Sequence, residues 1–190
     1  MNYRTPSISI LSKDRDMRNL EIKARADDLK RLRNIAANLG AALGGKDRQV
    51  DTYYKALDGR LKVRESSVTG NELIAYFRPD GTGPTESEYE RVRLYDVSRF
   101  KRLLGRALEV VGVVVKEREI FILGNTRIHL DEVENLGCFI ELELELDEDE
   151  ENRNPDSEKT IKDLIRLFGI KEENMVGCSY VDLLKAEDAG

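Results

Sequence analysis

Three short runs in the second half of the chain place charged residues two apart. Lys116 and Arg118 form the first, Arg127, His129 and Asp131 the second, and Glu141, Glu143 and Glu145 the third. In a β-strand, residues two apart point to the same side. Each run therefore collects polar side chains on one face and sets Val115, Ile128, Leu130, Ile140, Leu142 and Leu144 on the other. The same alternation occurs upstream, in Glu21 and Lys23 and in Arg60, Lys62 and Arg64. Together the polar faces hold the cations Lys23, Arg25, Arg60, Lys62, Arg64, Arg78, Arg91, Arg93, Lys116, Arg118 and Arg127. They also hold the carboxylates Glu21, Glu72, Asp131, Glu141 and Glu143. So many cations in one low-dielectric space repel one another unless an anion joins them. A polyphosphate matches them, because it spreads several negative charges along a line and Arg meets its oxygens in bidentate fashion. Glu21, Glu141 and Glu143 then read as oxygen ligands of a hard divalent ion, Mg²⁺ or Mn²⁺, that bridges phosphates.

Each run taken alone has a plainer reading. Glu141, Glu143 and Glu145 would be the solvent face of an edge strand, and Arg60, Lys62 and Arg64 an exposed hairpin face. Lys23 and Glu21 would form a surface pair worth little. His129 reads as a hydrogen-bonded interior residue before it reads as a catalytic base. Tyr53 and Tyr76 read as packing or hydrogen-bonding residues, and Cys138 and Cys178 as inert. Asp131 either acts directly or orients a cation. The sharper reading rests on all the rows converging on one hollow.

Composition narrows the classes. Among 190 residues, 31 Lys and Arg face 37 Asp and Glu, for a net charge of -6. That balance argues against a nucleic-acid polymer as partner, while leaving room for a local basic pocket. One histidine rules out a multi-His metal centre, and two cysteines are too few for a disulfide framework. No apolar run is long enough to span a bilayer and no secretory segment opens the chain, so a cytoplasmic, non-membrane setting is expected. The oligomeric state stays open, a homodimer included.

The elements that must carry these rows follow from periodicity. Residues 1–17 read as a polar lead-in, with an edge strand conceivable over 7–11, and 18–190 as one domain. Residues 18–25 alternate as a strand. Asp27 and Asp28 then open a helix with Leu29, Leu32, Ile35, Ala36 and Leu39 on one stripe, stopped by Gly40. Gly44 and Gly45 read as a loop. Strands follow over 48–54, 60–65, 72–78 and 89–94, with a Gly- and Pro-rich loop over 80–87. A second helix fits 96–110. After the three charged runs comes an acidic linker over 147–154, then a helix opened by Pro155 and a short one over 180–185. Short turns between strands predict antiparallel pairing. The expected fold is α+β: a closed eight-stranded antiparallel barrel, charged faces inward, with helices packed outside.

The ordered set of motifs resembles the CYTH superfamily, also called triphosphate tunnel metalloenzymes. Asn19-Leu20-Glu21-Ile22-Lys23 is similar to its Glu-x-Glu-x-Lys mark, with Asn in place of the first Glu. Residues 60–64 resemble its basic strand, and Lys116-Glu117-Arg118 its Lys-x-Arg pair. Residues 127–131 resemble its Arg-x-x-x-Asp strand, 136–143 its acidic strand and 180–184 its closing segment. The resemblance covers roughly residues 18–185. It implies a tunnel that binds a triphosphate with a divalent metal. Lys23, Arg127 and Asp131 would be catalytic, Lys62, Arg64, Arg78, Lys116 and Arg118 would bind substrate, and Glu21, Glu141 and Glu143 would hold Mg²⁺ or Mn²⁺. Asn19 removes one expected carboxylate.

Two reactions fit such a site and differ in the nucleophile. Water attacking the terminal phosphorus of ATP or of another nucleoside, thiamine or inorganic triphosphate gives hydrolysis. A ribose 3′-hydroxyl attacking the α-phosphorus gives cyclic AMP and pyrophosphate, the class IV adenylyl cyclase reaction. The alternative is a polyphosphate- or nucleotide-binding module without catalysis, which the Asn at position 19 favours.

Overall fold

The computed structural model describes residues 17–146 and 155–188. The lead-in, apart from Met17, and the acidic linker lie outside them. Eight strands form within the described residues: β1 Met17–Arg25, β2 Ala42–Tyr54, β3 Arg60–Ser66, β4 Gly70–Phe77, β5 Thr85–Leu94, β6 Val110–Leu123, β7 Thr126–Val133 and β8 Gly137–Glu145. They close a barrel in the order β1-β5-β4-β3-β2-β6-β7-β8, every neighbour antiparallel. Three α-helices pack outside, α1 Leu29–Asn38, α2 Val97–Ala107 and α3 Pro155–Phe168, and a fourth, α4 Tyr180–Asp188, brings Tyr180 against the barrel's interior. Among the described residues, no helix is long and apolar enough to cross a membrane.

Alternation in the strands decides which rows face the helices. Leu20, Ile22 and Ala24 of β1 join Ile128, Leu130, Ile140, Leu142 and Leu144 as an outer apolar surface. Leu32 and Ala36 of α1 and Ile161, Leu164 and Phe168 of α3 cover it. The Asp28 carboxylate caps α1 by accepting from the Arg31 amide at 2.9 Å. Asp96 caps α2 in the same way, at 3.0 Å from the Arg99 amide. α2 and its C-cap lay Val97, Leu104 and Leu108 near Tyr54, Val63 and Leu94, whereas Phe100 and Leu103 stay exposed.

Two local expectations change. Gly44 and Gly45 do not form a loop: they continue β2, which slips register between Leu43 and Gly45. The slip is a bulge, a kink that glycine tolerates inside a strand. The Gly- and Pro-rich loop also shortens, because β5 begins at Thr85 and pairs with β1 through Glu21↔Thr85.

The chain after α3 fastens across one end of the barrel. The Val176 amide donates to the Lys23 carbonyl at 2.8 Å, and the Gly81 amide to the Gly177 carbonyl at 3.1 Å. A side chain at Gly177 would meet the Gly81 backbone at 2.6 Å, so this contact needs glycine. Phe168→Ala, which empties a fully buried site between α3 and the barrel, is expected to cost about 3–5 kcal/mol in urea unfolding. A loss under about 1 kcal/mol would mean that α3 does not seal the barrel wall.

Candidate active site inside the barrel

Cross-strand register brings the charged rows together. Lys23 lies opposite Glu141 and Glu21 opposite Glu143 on β1 and β8, while Arg127 faces Glu143 and His129 faces Glu141 on β7 and β8. Arg118 pairs with Asp131, and Arg64 with Asp51. The hollow they surround measures about 260 Å³. Among the described residues, nine cationic side chains line it against five carboxylates, Glu21, Asp47, Glu72, Glu141 and Glu143.

Two fully buried carboxylates on the same inward faces hold guanidinium groups in place. Asp131 accepts from Arg118 at 2.7 and 2.6 Å and from the Tyr180 hydroxyl at 2.8 Å. Asp51 accepts from Arg64 twice at 2.7 Å and from Lys62 at 3.0 Å. Burial opposes ionisation of both acids, but Arg118 and Lys116 around Asp131, and Arg64 and Lys62 around Asp51, hold each below the usual carboxylate range. The lysines bear the opposite strain. Burial, then the like charge of Arg64, lowers Lys62 to about 7, and burial, then Arg118, lowers Lys116 to about 8.

The carboxylates on the lining are cross-linked by cations. Glu141 pairs with Arg118 and, at 3.2 Å, with Lys23, whose ammonium lies over the Tyr180 ring. Arg127 reaches Glu143 at 3.2 Å and the Asn19 carbonyl oxygen at 3.2 Å. Glu21 pairs with Arg78 at 2.8 Å and accepts from Ser87 at 2.8 Å. Burial, then the nearby Glu143, raises the Glu21 carboxyl above its ordinary range. The His129 Nδ1 stands 3.3 Å from a Glu143 oxygen and 3.8 Å from a Glu141 oxygen, yet makes no hydrogen bond. Crowded carboxylates beside a buried imidazole nitrogen within ion-pair reach of both are a donor set suited to a divalent cation.

The CYTH domain model matches residues 17–180. The chain belongs to the CYTH family. A Methanocaldococcus jannaschii protein provisionally named an adenylate cyclase is 26% identical over an alignment of 177 residues that covers 88% of this chain and 98% of that protein. A solved structure from Pyrococcus horikoshii OT3 matches with a TM-score of 0.70 at 28% identity, over 87% of this chain and 98% of its own. A Hippeastrum protein, described as a provisional adenylyl cyclase with a dominant triphosphatase activity, has a TM-score of 0.57 at 15% identity, over 89% and 96% of the two chains. That last likeness is one of fold alone.

Within this CYTH barrel, Lys23, Lys62, Arg64, Arg78, Lys116, Arg118, Arg127, Glu21, Glu141 and Glu143 all line the hollow. Asp131 is not on the lining: it shares the inward face of β7, but its oxygens are taken by Arg118 and Tyr180. Arg25, Arg93 and Glu145 leave the inward group. Arg25 sits at the barrel end, donating to the Leu136 carbonyl and pairing with Glu187, and Arg93 and Glu145 are exposed. The reading of β2 missed Asp47, Gln49, Asp51 and Tyr53, a two-residue repeat pointing inward. Its signal was present, but Val50 and Thr52 interleave so weakly that neither face stood out. Tyr180, placed in a closing helix, also supplies a cavity wall and a hydroxyl.

A bound polyanion would draw protons back onto Lys62 and Lys116, so binding at pH 8–9 should take up protons and weaken as pH rises from about 7 to 9. Calorimetry with a non-hydrolysable triphosphate in buffers of differing ionisation heat measures this. Lys62→Met should flatten the pH dependence; equal slopes in both proteins would contradict the buried placement of the lysine. For stability the sign is opposite: the penalty of burying these lysines as cations is full below about 7 and is relieved as pH climbs toward their ordinary range, so stability rises with pH.

Proposed function

We propose that this protein is a divalent-metal-dependent enzyme that holds the triphosphate of a small molecule inside the barrel and hydrolyses or cyclises it. One observation carries the reading: a hollow within the closed barrel in which nine cations outnumber five carboxylates, with two further buried carboxylates acting as clamps. Such an excess of buried positive charge is costly unless a polyanion enters. Glu21, Glu141 and Glu143 would hold Mg²⁺ or Mn²⁺. When bound, the ion would neutralise phosphate charge and fix the substrate's pose.

The chain's own groups do the rest. Arg118, aimed by Asp131, and Arg64, aimed by Asp51, meet phosphate oxygens with guanidinium forks that lose little freedom on binding. Asp131 is thus a positioning residue. Lys23 and Arg127, next to the acidic cluster, stabilise negative charge as it grows in transfer, while Arg78 and Lys116 hold the remaining phosphates. In hydrolysis, a water oxygen bonds to the terminal phosphorus, the bridging P–O bond breaks, and the water's proton leaves. That proton passes to the departing phosphate oxygen, while Lys62, drawn to its charged form by the bound polyanion, offsets the growing negative charge.

A second cavity of about 730 Å³ adjoins the first and shares Tyr53, Arg60, Arg78 and Ser87 with it. It adds Tyr54, Phe77, Pro79, Val111 and Val181, room and apolar surface for an organic group attached to the phosphates. This favours an organic triphosphate, and the relative named for adenylate cyclase makes ATP the first to test. The second reading, a binding module without turnover, draws on Asn19: it is buried and engaged by Arg127 where the family mark has a carboxylate.

The test supplies ATP, thiamine triphosphate and inorganic triphosphate with Mg²⁺, Mn²⁺ or chelator, and follows phosphate, pyrophosphate and cyclic AMP. Metal-dependent turnover is expected, abolished by Glu143→Ala or Glu21→Ala in protein that still folds, and lowered about 10²-fold by Arg118→Ala. Tight binding with no turnover would select the binding module. Neither turnover nor a melting-temperature shift with any triphosphate would end the triphosphate reading.

A further inference from the structure

We infer that His129 is a nitrogen ligand of the barrel's divalent cation, giving a mixed imidazole–carboxylate site that prefers Mn²⁺ to Mg²⁺. The inference rests on the reading of Glu141 and Glu143 as metal ligands and adds a donor outside that set.

Three features of the side chain support it. His129 is only 5% exposed, and its Nδ1 is buried with no hydrogen-bond partner. That atom is aimed at the acidic cluster. One ligand atom each from His129, Glu141 and Glu143 lies within 4.8 Å of the others, with Nδ1 3.3 Å from Glu143 and 3.8 Å from Glu141. Donors sharing one small cation with bonds near 2.1 Å stand roughly 3 Å apart. The nitrogen is therefore already spaced as a co-ligand, while its alignment misses a hydrogen bond to either acid. Thirdly, β7–β8 register sets His129 directly opposite Glu141, and Arg127, the next inward residue, opposite Glu143. The backbone thus fixes the imidazole at the cluster.

The donor type has a consequence. Carboxylates alone suit Mg²⁺, which demands oxygen ligands, whereas imidazole favours later divalent metals. Asn19 shifts the balance the same way, because it contributes a neutral amide where the family mark has a carboxylate. A site with fewer anionic oxygens and one nitrogen discriminates against Mg²⁺.

His129 is the chain's single histidine, so imidazole nitrogen bonded to a metal in tag-free protein can come from nowhere else. The experiment loads the full-length protein with Mn²⁺ alone and records pulsed electron paramagnetic resonance, with affinities from loss of the free-ion signal and from Mg²⁺ competition. The expected result is a directly bonded ¹⁴N coupling in the wild type. In His129→Gln the coupling should vanish and the Mn²⁺-over-Mg²⁺ preference should fall at least about tenfold. Bound Mn²⁺ without nitrogen coupling would overturn the inference and leave the carboxylate site standing. No bound Mn²⁺ at all would overturn both. Should His129→Gln fail to fold, the wild-type spectrum decides by itself.

Discussion

Burying charge is the constraint from which the rest of this structure follows. Strands that alternate charged and apolar residues have two ways to satisfy both faces: leave the charged side in water, or close on themselves and pair charges across the interior. This chain closes. Pairing then has to be arranged strand against strand, because a register slip of one residue would send every charge outward and every leucine inward. The matches Lys23↔Glu141, Arg127↔Glu143, Arg118↔Asp131 and Arg64↔Asp51 are thus at once the register of the barrel and the wiring of its site.

Pairing is incomplete by construction. Asp51 and Asp131 are saturated by their cations and immobilise two guanidinium groups, while Lys62 and Lys116 are left sharing carboxylates that arginines already occupy. The depressed lysines and the raised Glu21 are two signs of one condition, a hollow with unmet demand for both anion and cation. A metal-bound polyphosphate would answer both at once. The outer helices enter indirectly: α1 and α3 cover the apolar face of β1, β7 and β8, which holds the acidic strand at its register beside β1.

Most of this was legible in the residues, for a physical reason. Period-two charge rows with apolar partners, as at 127–131 and 139–145, admit few folds, and the helix cap at Asp28 is local chemistry. What stayed hidden depends on contacts between distant segments. No spacing shows that Asp131 is screened from the cavity by Arg118 and by Tyr180, 49 residues on, which donate to it. Asp51 looked like one polar residue in a mixed strand until β3 brought Arg64 and Lys62 to it. Arg25 and Arg93 kept the right parity but sit beyond the hollow's ends, since alternation gives the side of a sheet and not the depth in a barrel.

The account stands on the claim that the interior is built for a polyanion. A crystal structure of the protein with a non-hydrolysable triphosphate and Mn²⁺ tests it most directly. The phosphate chain should run between Arg64 and Arg118 with the metal at Glu21, Glu141 and Glu143. A ligand found only on the outer surface, with the buried cations still paired among themselves, would contradict it.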